Sequence, residues 1–348
     1  MSSRRTIALD AMGGDNAPRI VVRGANIARQ RFPKAEFLMF GREAEVKPLL
    51  DQAPKLRKRT TLVHCDDVVR PDDKPSVALR AGRNSSMRLA INAVREGQAD
   101  AVVSAGNTGA LMAMAKVVLK TLPGIDRPAI ATYFPTLKGE TVMLDLGANV
   151  QCDARNLVDF AVMGTACART VLGILEPTYG LLNVGSEEIK GHESLHEANA
   201  ILRDAKLPGH YVGFVEGDDI GKGSCDVIVT DGFTGNVALK TAEGTAKLIS
   251  EFVRQTFRSS WTAGIGYLFA RRALAKLRER VDPRRYNGAM FLGLNGIVIK
   301  SHGSTDALGF ANAIGVGIDM TTNDFLEQIR AEASLLTTAS PESRAAAV

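Results

Sequence analysis

Ten short apolar runs, each closing on a polar turn, limit what this chain can fold into: TIALDAM, EFLMFG, TTLVHC, AVVSAG, ATYFPT, TVMLDLG, YGLLNVG, YVGFVEG, DVIVTDG and GIVIKSHG. Longer amphipathic segments separate most of them. Short β-branched runs alternating with helical ones bury their apolar side chains most simply as a largely parallel sheet covered by helices on both faces. The pattern predicts a three-layer α/β/α fold. No internal repeat or low-complexity linker marks a boundary between lobes.

Seven of these runs lead into a glycine-bearing polar loop: DAMGGDN, SAGNTGA, DLGANVQ, NVGSEEI, EGDDIGKG, TDGFTGN and SHGSTDA. In open α/β sheets the carboxyl ends of the strands face the ligand crevice, so seven such loops are expected to share one edge. Glycine lets backbone N–H groups approach a ligand, and the helix N-termini that follow favour an anion. The expected ligand carries phosphate-type charge.

Composition removes several classes of function. The 348 residues carry 45% hydrophobic and 23% charged side chains, as a soluble globular protein does. Cys65, Cys152, Cys167 and Cys225 form no CxxC pair, which argues against a zinc ribbon or disulfide framework and for a reducing cytoplasm. Asp10 interrupts the first apolar run, so no signal peptide is expected, and no run approaches the ~20 residues of a spanning helix. A net charge of +5 suits an acidic partner or anionic surface, but with 5% aromatics no stacking platform for nucleic acid is present.

Residues 241–285 break the alternation and predict a helical hairpin, interrupted by SSWTAGIGYLFA. Its tip places Trp261, Ile265, Tyr267, Leu268 and Phe269 between Arg258 and Arg271–Arg272, which suits insertion into an anionic membrane interface or packing against another subunit. HESLH at 192–196, with Glu216 downstream, matches a zinc-protease pattern, but its polar flanks place it in the first turn of a surface helix. No metal or cofactor is expected. GDDIGKGSCD does not satisfy the phosphate-loop pattern, so nucleotide hydrolysis is not predicted. Among five histidines, only His302 lies in a glycine-bracketed strand-end loop, beside Lys300 and Ser304. The last residues, 336–348, read as a flexible tail.

ALDAMGGDNAP, VSAGNTGALM, MLDLGANV, NVGSEEIKG, VEGDDI, DVIVTDGFTGNVALKTAEG and NGIVIKSHGSTD together resemble the PlsX family of phosphate acyltransferases, in collinear order over residues 5 to 335. The resemblance implies an enzyme of phospholipid synthesis, cytoplasmic or peripherally membrane-bound, that moves a long-chain acyl group from acyl carrier protein to inorganic phosphate. It also implies a fold like the isocitrate and isopropylmalate dehydrogenases and the phosphate acetyltransferases, a homodimer, and delivery of the acyl phosphate to a membrane acyltransferase. One lobe would comprise residues 1–125 plus 300–335 and the other residues 126–299.

On that reading Gly13, Gly14, Asp15, Asn16, Asn107, Thr108 and Gly109 line the phosphate site, with Asn149, Asp231, Thr234 and Gly235 completing its floor. Lys300, His302, Ser304 and Asn236 are the expected catalytic set, supplying charge stabilisation and a proton for the leaving thiolate. Asp10, Asp15, Asp145 and Asp231 repel phosphate, so they either tie loops, pair with Arg80 or Lys240, or accept a proton from monoanionic phosphate. Lys190, Lys222, Arg83 and Arg88 are candidates for docking the acidic carrier. A nucleotide-dependent dehydrogenase of the same fold, a short-chain phosphotransacetylase and a non-catalytic scaffold remain as alternatives.

Overall fold

The computed structural model describes residues 4–338 except 281, 283, 323 and 324. Eleven strands are present among them: β1 (Arg5–Asp10), β2 (Ala35–Gly41), β3 (Thr60–His64), β4 (Ala101–Ser104), β5 (Ala129–Pro135), β6 (Glu140–Leu144), β7 (Thr178–Leu182), β8 (His210–Val215), β9 (Val227–Val229), β10 (Ala289–Leu292) and β11 (Ile297–Lys300). The helices are α1 (Arg19–Arg31), α2 (Glu43–Asp51), α3 (Pro54–Arg57), α4 (Pro75–Ala81), α5 (Ser86–Arg95), α6 (Thr108–Leu119), α7 (Ala154–Val171), α8 (Glu193–Asp204), α9 (Gly217–Lys222), α10 (Gly232–Arg258), α11 (Trp261–Arg280), α12 (Ala307–Thr322) and α13 (Phe325–Thr338).

All eleven strands join one sheet, in the order β3-β2-β1-β4-β11-β10-β5-β6-β9-β7-β8. Alternate side chains feed two cores, as period-two strands buried on both faces require. Ile7, Leu9, Ile299 and Leu144 pack with α1, α7 and α12, whereas Ala8, Val298, Met143 and Ile228 pack with α5 and α6. The three layers are therefore helix, sheet, helix. Side-chain caps start the helices that face the loops: Ser85 for α5, Asn107 for α6, Asp153 for α7 and Asp231 for α10.

Strand direction differs from the expectation of a single loop edge. The β10 strand, which the sequence reading missed, runs antiparallel to both β11 and β5, and β5 runs antiparallel to β6. Three reversals in a row leave β1, β4 and β11 running opposite to β6, β9 and β7. The glycine-bearing loops therefore leave the sheet as two groups. Five inter-strand steps separate β1 from β6, roughly 24 Å at the usual strand spacing. The β11 strand straddles the position 299/300 where a lobe boundary was expected, pairing with β4 on one side and β10 on the other.

The hairpin is longer than expected. It begins at Gly232, turns at Ser259–Ser260, and carries Trp261 to Phe269 on the first turns of α11 rather than in an irregular tip. Of the 27 residues of α10 only Gly232 and Gly235 are buried. No helix among the described residues is long and apolar enough to cross a membrane. Residues 336–338 close α13, and the rest of the expected tail lies outside the described residues.

Candidate active site

The first loop group gathers the carboxyl ends of β1, β4 and β11 around Asp10. This carboxylate is 1% exposed and accepts hydrogen bonds from Ser86 Oγ and Ser104 Oγ, both at 2.6 Å, and from Met12 N at 3.3 Å. Burial raises its pKa, and these hydrogen bonds oppose the shift. Asp10 therefore ties β1 to β4 and to the first turn of α5. The glycines serve the same closure. A Cβ at Gly13 would lie 2.4 Å from Asp10 Oδ2, and Gly14, at φ +103°, lies where a Cβ would meet Ala105 and Gly303. Asp15 N donates to Gly303 O at 2.9 Å, which joins the β1 and β11 loops.

Lys300 lies at the end of β11 in this group. Its Nζ donates to Ser301 O and, at 3.4 Å, to Ala105 O. Burial lowers its pKa to about 8, against the opposing pull of Asp10 and Asp15. A third ammonium hydrogen remains for a ligand. Next to it, Ser304 N and Ser304 Oγ lie 3.3 and 3.0 Å from His302 Nδ1. A backbone N–H can only donate, so Nδ1 of the neutral ring is the acceptor and Nε2 carries the hydrogen. His302 N in turn donates to Asn287 Oδ1 at 2.9 Å.

Asn287 escaped the sequence reading. It is buried and also donates to Ser301 Oγ at 2.8 Å and Gly309 O at 2.7 Å, so one amide sets the whole β11 loop. The Asn-Gly step at 287–288 is its only local signal. Ser86 and Ser104, the partners of Asp10, were missed for the same reason: their importance depends on contacts 76 and 94 residues away.

The second group is built on Asp145, at the end of β6. Its carboxylate accepts from Ile130 N, Gly147 N, Ala148 N, Asn149 N and Asn149 Nδ2, at 2.7–3.2 Å. Burial raises its pKa, again against these hydrogen bonds. Gly232 N donates to Asn149 O at 2.7 Å, and a Cβ on Gly235 would stand 2.0 Å from Asp145 O, so α10 docks at a distance only glycine permits. Asn236 lies beside Gly147, and its carboxamide has no hydrogen-bond partner among the described residues. A cleft of about 420 Å³ opens nearby, lined by Arg127, Gln151, Cys152 and Glu193.

The expected site residues thus divide. Gly13, Gly14, Asp15, Asn16, Asn107, Thr108, Gly109, Lys300, His302 and Ser304 fall in or beside the first group, and Asn149, Asp231, Thr234, Gly235 and Asn236 in the second. Several side chains are already engaged. Asn107 Nδ2 donates to Pro71 O and Asp73 O, both at 2.9 Å, while its Oδ1 caps α6. Asn149 Nδ2 spends both hydrogens on Pro128 O and Asp145, and Asp231 caps Thr234 through N and Oγ1. The Asn107 and Asn149 amide hydrogens are thus spent on ordering the loops, and the Asp231 carboxylate starts α10. None of the four acids forms an ion pair with Arg80 or Lys240 among the described residues.

Two docking candidates are neutralised locally: Lys190 pairs with Glu187 at 2.8 Å, and Lys222 with Asp218 at 2.6 Å. Arg83 and Arg88 have no acidic partner among the described residues. His192 is the N-cap of α8, outside its first turn, and no cluster of three metal-ligating side chains occurs among the described residues.

A family model described as "Fatty acid synthesis protein" matches residues 5–328. A phosphate acyltransferase of Rhodospirillum centenum is 64% identical over 100% of this chain and 99% of its own, and one from Rhodospirillum rubrum is 59% identical over 95% of each. Among solved structures, a phosphotransacetylase from Streptococcus pyogenes superposes with a TM-score of 0.62 at 18% identity, over 91% of this chain and 94% of its own. A Staphylococcus aureus phosphotransacetylase gives 0.59 at 17%, over 92% and 94%. The structural likeness shows a shared fold, and the sequence likeness spans every loop of both groups. The chain belongs to the PlsX family of phosphate acyltransferases.

Proposed function

We propose that the enzyme transfers a long-chain acyl group from the thioester of acyl carrier protein to inorganic phosphate, by direct attack of a phosphate oxygen on the thioester carbonyl. The C–O bond forms as the C–S bond breaks, and the carrier leaves as its thiol. Phosphate is already an oxyanion at neutral pH, so the reaction needs alignment, exclusion of water and cover for developing charge more than it needs a base. The observation that carries this reading is Lys300, a half-buried ammonium held between two carbonyl oxygens with one hydrogen to spare.

In this mechanism Lys300 and the backbone N–H groups of Gly14, Thr108 and Gly109 hold phosphate, with Asn16 at the rim. His302 Nε2–H hydrogen-bonds the oxyanion that develops on the thioester carbonyl, its ring fixed by Ser304 and Asn287, and the leaving thiolate takes the proton that hydrogen phosphate gives up as the acyl phosphate forms. The second group contacts the acyl side of the thioester, and Asn236 supplies its free carboxamide. Sheet twist supports a shared crevice: at 20–25° per strand, five steps accumulate roughly 100–125°. That rotation turns the carboxyl ends of the two antiparallel halves toward a common side, where an extended substrate can touch both. The two lobes flank this crevice, and the active form is a homodimer in the cytoplasm.

Acyl phosphate trapped with hydroxylamine, after incubation with long-chain acyl carrier protein and phosphate, tests the reading. His302→Ala is expected to lower its formation by ~100-fold, the scale of a lost oxyanion or proton donor, and Asn236→Ala by ~10-fold. Near-normal formation in both variants would place the chemistry elsewhere. Peripheral membrane contact belongs to the same reading, carried by Trp261, Ile265, Leu268 and Phe269, which are 45–86% exposed on the hairpin. Changing Trp261, Leu268 and Phe269 to Ser is expected to abolish co-sedimentation with anionic vesicles; retention of binding would assign this surface to a subunit contact.

A further inference from the structure

Residues 70–88 form a strap over the first loop group. Asn107 Nδ2 holds the carbonyls of Pro71 and Asp73, Pro75 packs against Gly109, and Ser86 reaches Asp10. The strap carries Arg70, Lys74, Arg80, Arg83 and Arg88, and none of the five has an ion-pair partner among the described residues. Its own acids are Asp72 and Asp73, and Asp73 is occupied by Arg70 N at 2.8 Å. Val77, in the middle of these cations on α4, is 51% exposed.

The other two cations that the sequence offered for docking are less available. Lys190 and Lys222 sit within salt-bridge distance of Glu187, Asp218 and Asp219, so an incoming acid must displace an existing one. Arg88 is in the opposite condition, with Arg83 and Arg95 as its charged neighbours and no carboxylate to offset them. An acidic surface placed on the strap relieves that repulsion. It also gains several charge contacts without breaking any.

We propose that the strap is the docking surface for the acidic carrier protein, which seats its carboxylates on Arg80, Arg83 and Arg88 around an apolar contact at Val77. The proposal rests on the carrier being the acyl donor and selects one of the two basic regions named by the sequence. Docking there sets the carrier directly over the first group, so its thioester arm enters beside Lys300 and His302. Lys190 and Lys222 have no part in carrier binding. The strap is tied to catalytic loops at three points, so the carrier docks on a surface already in register with the phosphate site.

Steady-state kinetics of the full-length protein test this. In Arg80→Glu/Arg83→Glu, where both side chains are exposed, KM for palmitoyl carrier protein is expected to rise about 30-fold or more with kcat little changed, in the range seen for lost electrostatic steering. The same variant should turn over palmitoyl pantetheine, which lacks the carrier, as the wild type does. Raising NaCl from 50 to 300 mM should weaken carrier use by the wild type and not by the variant. A second variant, Val77→Ser, leaves the charges in place and should raise KM about 5-fold. The proposal is overturned if Arg80→Glu/Arg83→Glu keeps the wild-type KM, or if Lys190→Glu/Lys222→Glu raises it instead. If wild-type enzyme uses palmitoyl pantetheine as efficiently as the carrier thioester, the carrier is not the preferred donor and the underlying functional reading fails.

Discussion

Lys300→Met is expected to remove almost all phosphate-dependent turnover while making the protein more stable. The side chain holds its charge in a half-buried place, and burial lowers its pKa from 10.5 to about 8. At pH 7 roughly nine-tenths of the amine is still protonated, so phosphate bound at the proposed site would meet a cation. Losing it should lower acyl phosphate formation by ~100- to 1000-fold, mostly through phosphate binding and cover for developing charge. Between pH 8 and 10.5 the unfolded chain binds the proton more strongly than the folded one, so native stability rises with pH across that window. Methionine removes this dependence and is expected to add about 2 kcal/mol at pH 7. Urea unfolding at pH 7 and pH 10 measures it. Lys300→Arg supplies the complementary check, because a guanidinium stays charged and should move the alkaline limb of the activity profile from near pH 8 to beyond pH 10. A Met variant that is both active and destabilised would remove Lys300 from the phosphate site.

Asp145→Ala is expected to have the largest effect on folding. One carboxylate satisfies four backbone N–H groups and the Asn149 amide, and it is fully buried. Alanine leaves those donors facing a void, at about 1–3 kcal/mol for each that water cannot reach. A net loss of about 4 kcal/mol is expected, a large share of the 5–15 kcal/mol that holds a typical domain together. The urea midpoint should fall accordingly with an unchanged slope. Its folded pKa is raised, so the proton binds more tightly in the native state, and the cost of ionising this carboxyl appears as pH rises above the ordinary carboxylate range. Stability gained on acidification from this group should therefore vanish in Asp145→Ala. A shift below about 1 kcal/mol would mean that the 145–149 loop is held by something else.

The strand and helix alternation was legible because it depends on local periodicity, and so was the glycine chemistry of the loops. Sheet direction was not. It turns on β10, four apolar residues without alternation, whose antiparallel pairing with β5 joins positions 159–163 residues apart. Missing that strand made the seven loops appear to share one edge. The roles of Asn107, Asn149 and Asp231 were also hidden, since the same side chain can cap a helix or face a ligand, and only its neighbours decide. Asp10 shows the favourable case. The sequence posed a choice between bracing and proton transfer, and the two serine hydroxyls on its oxygens identify a brace.

The α10 helix is attached to the body almost entirely through its first turn, at Gly232 and Gly235. Its 27 residues extend about 40 Å, at 1.5 Å per residue. A rod fixed at one end magnifies rotation: a tilt of about 5° at the anchor displaces the far end by about 3.5 Å, the width of a methylene layer. Any side chain at position 235 would impose such a tilt, because a Cβ there stands 2.0 Å from Asp145 O. The absent side chain of a single residue thus sets where Trp261 and Phe269 come to rest, at the opposite end of the hairpin.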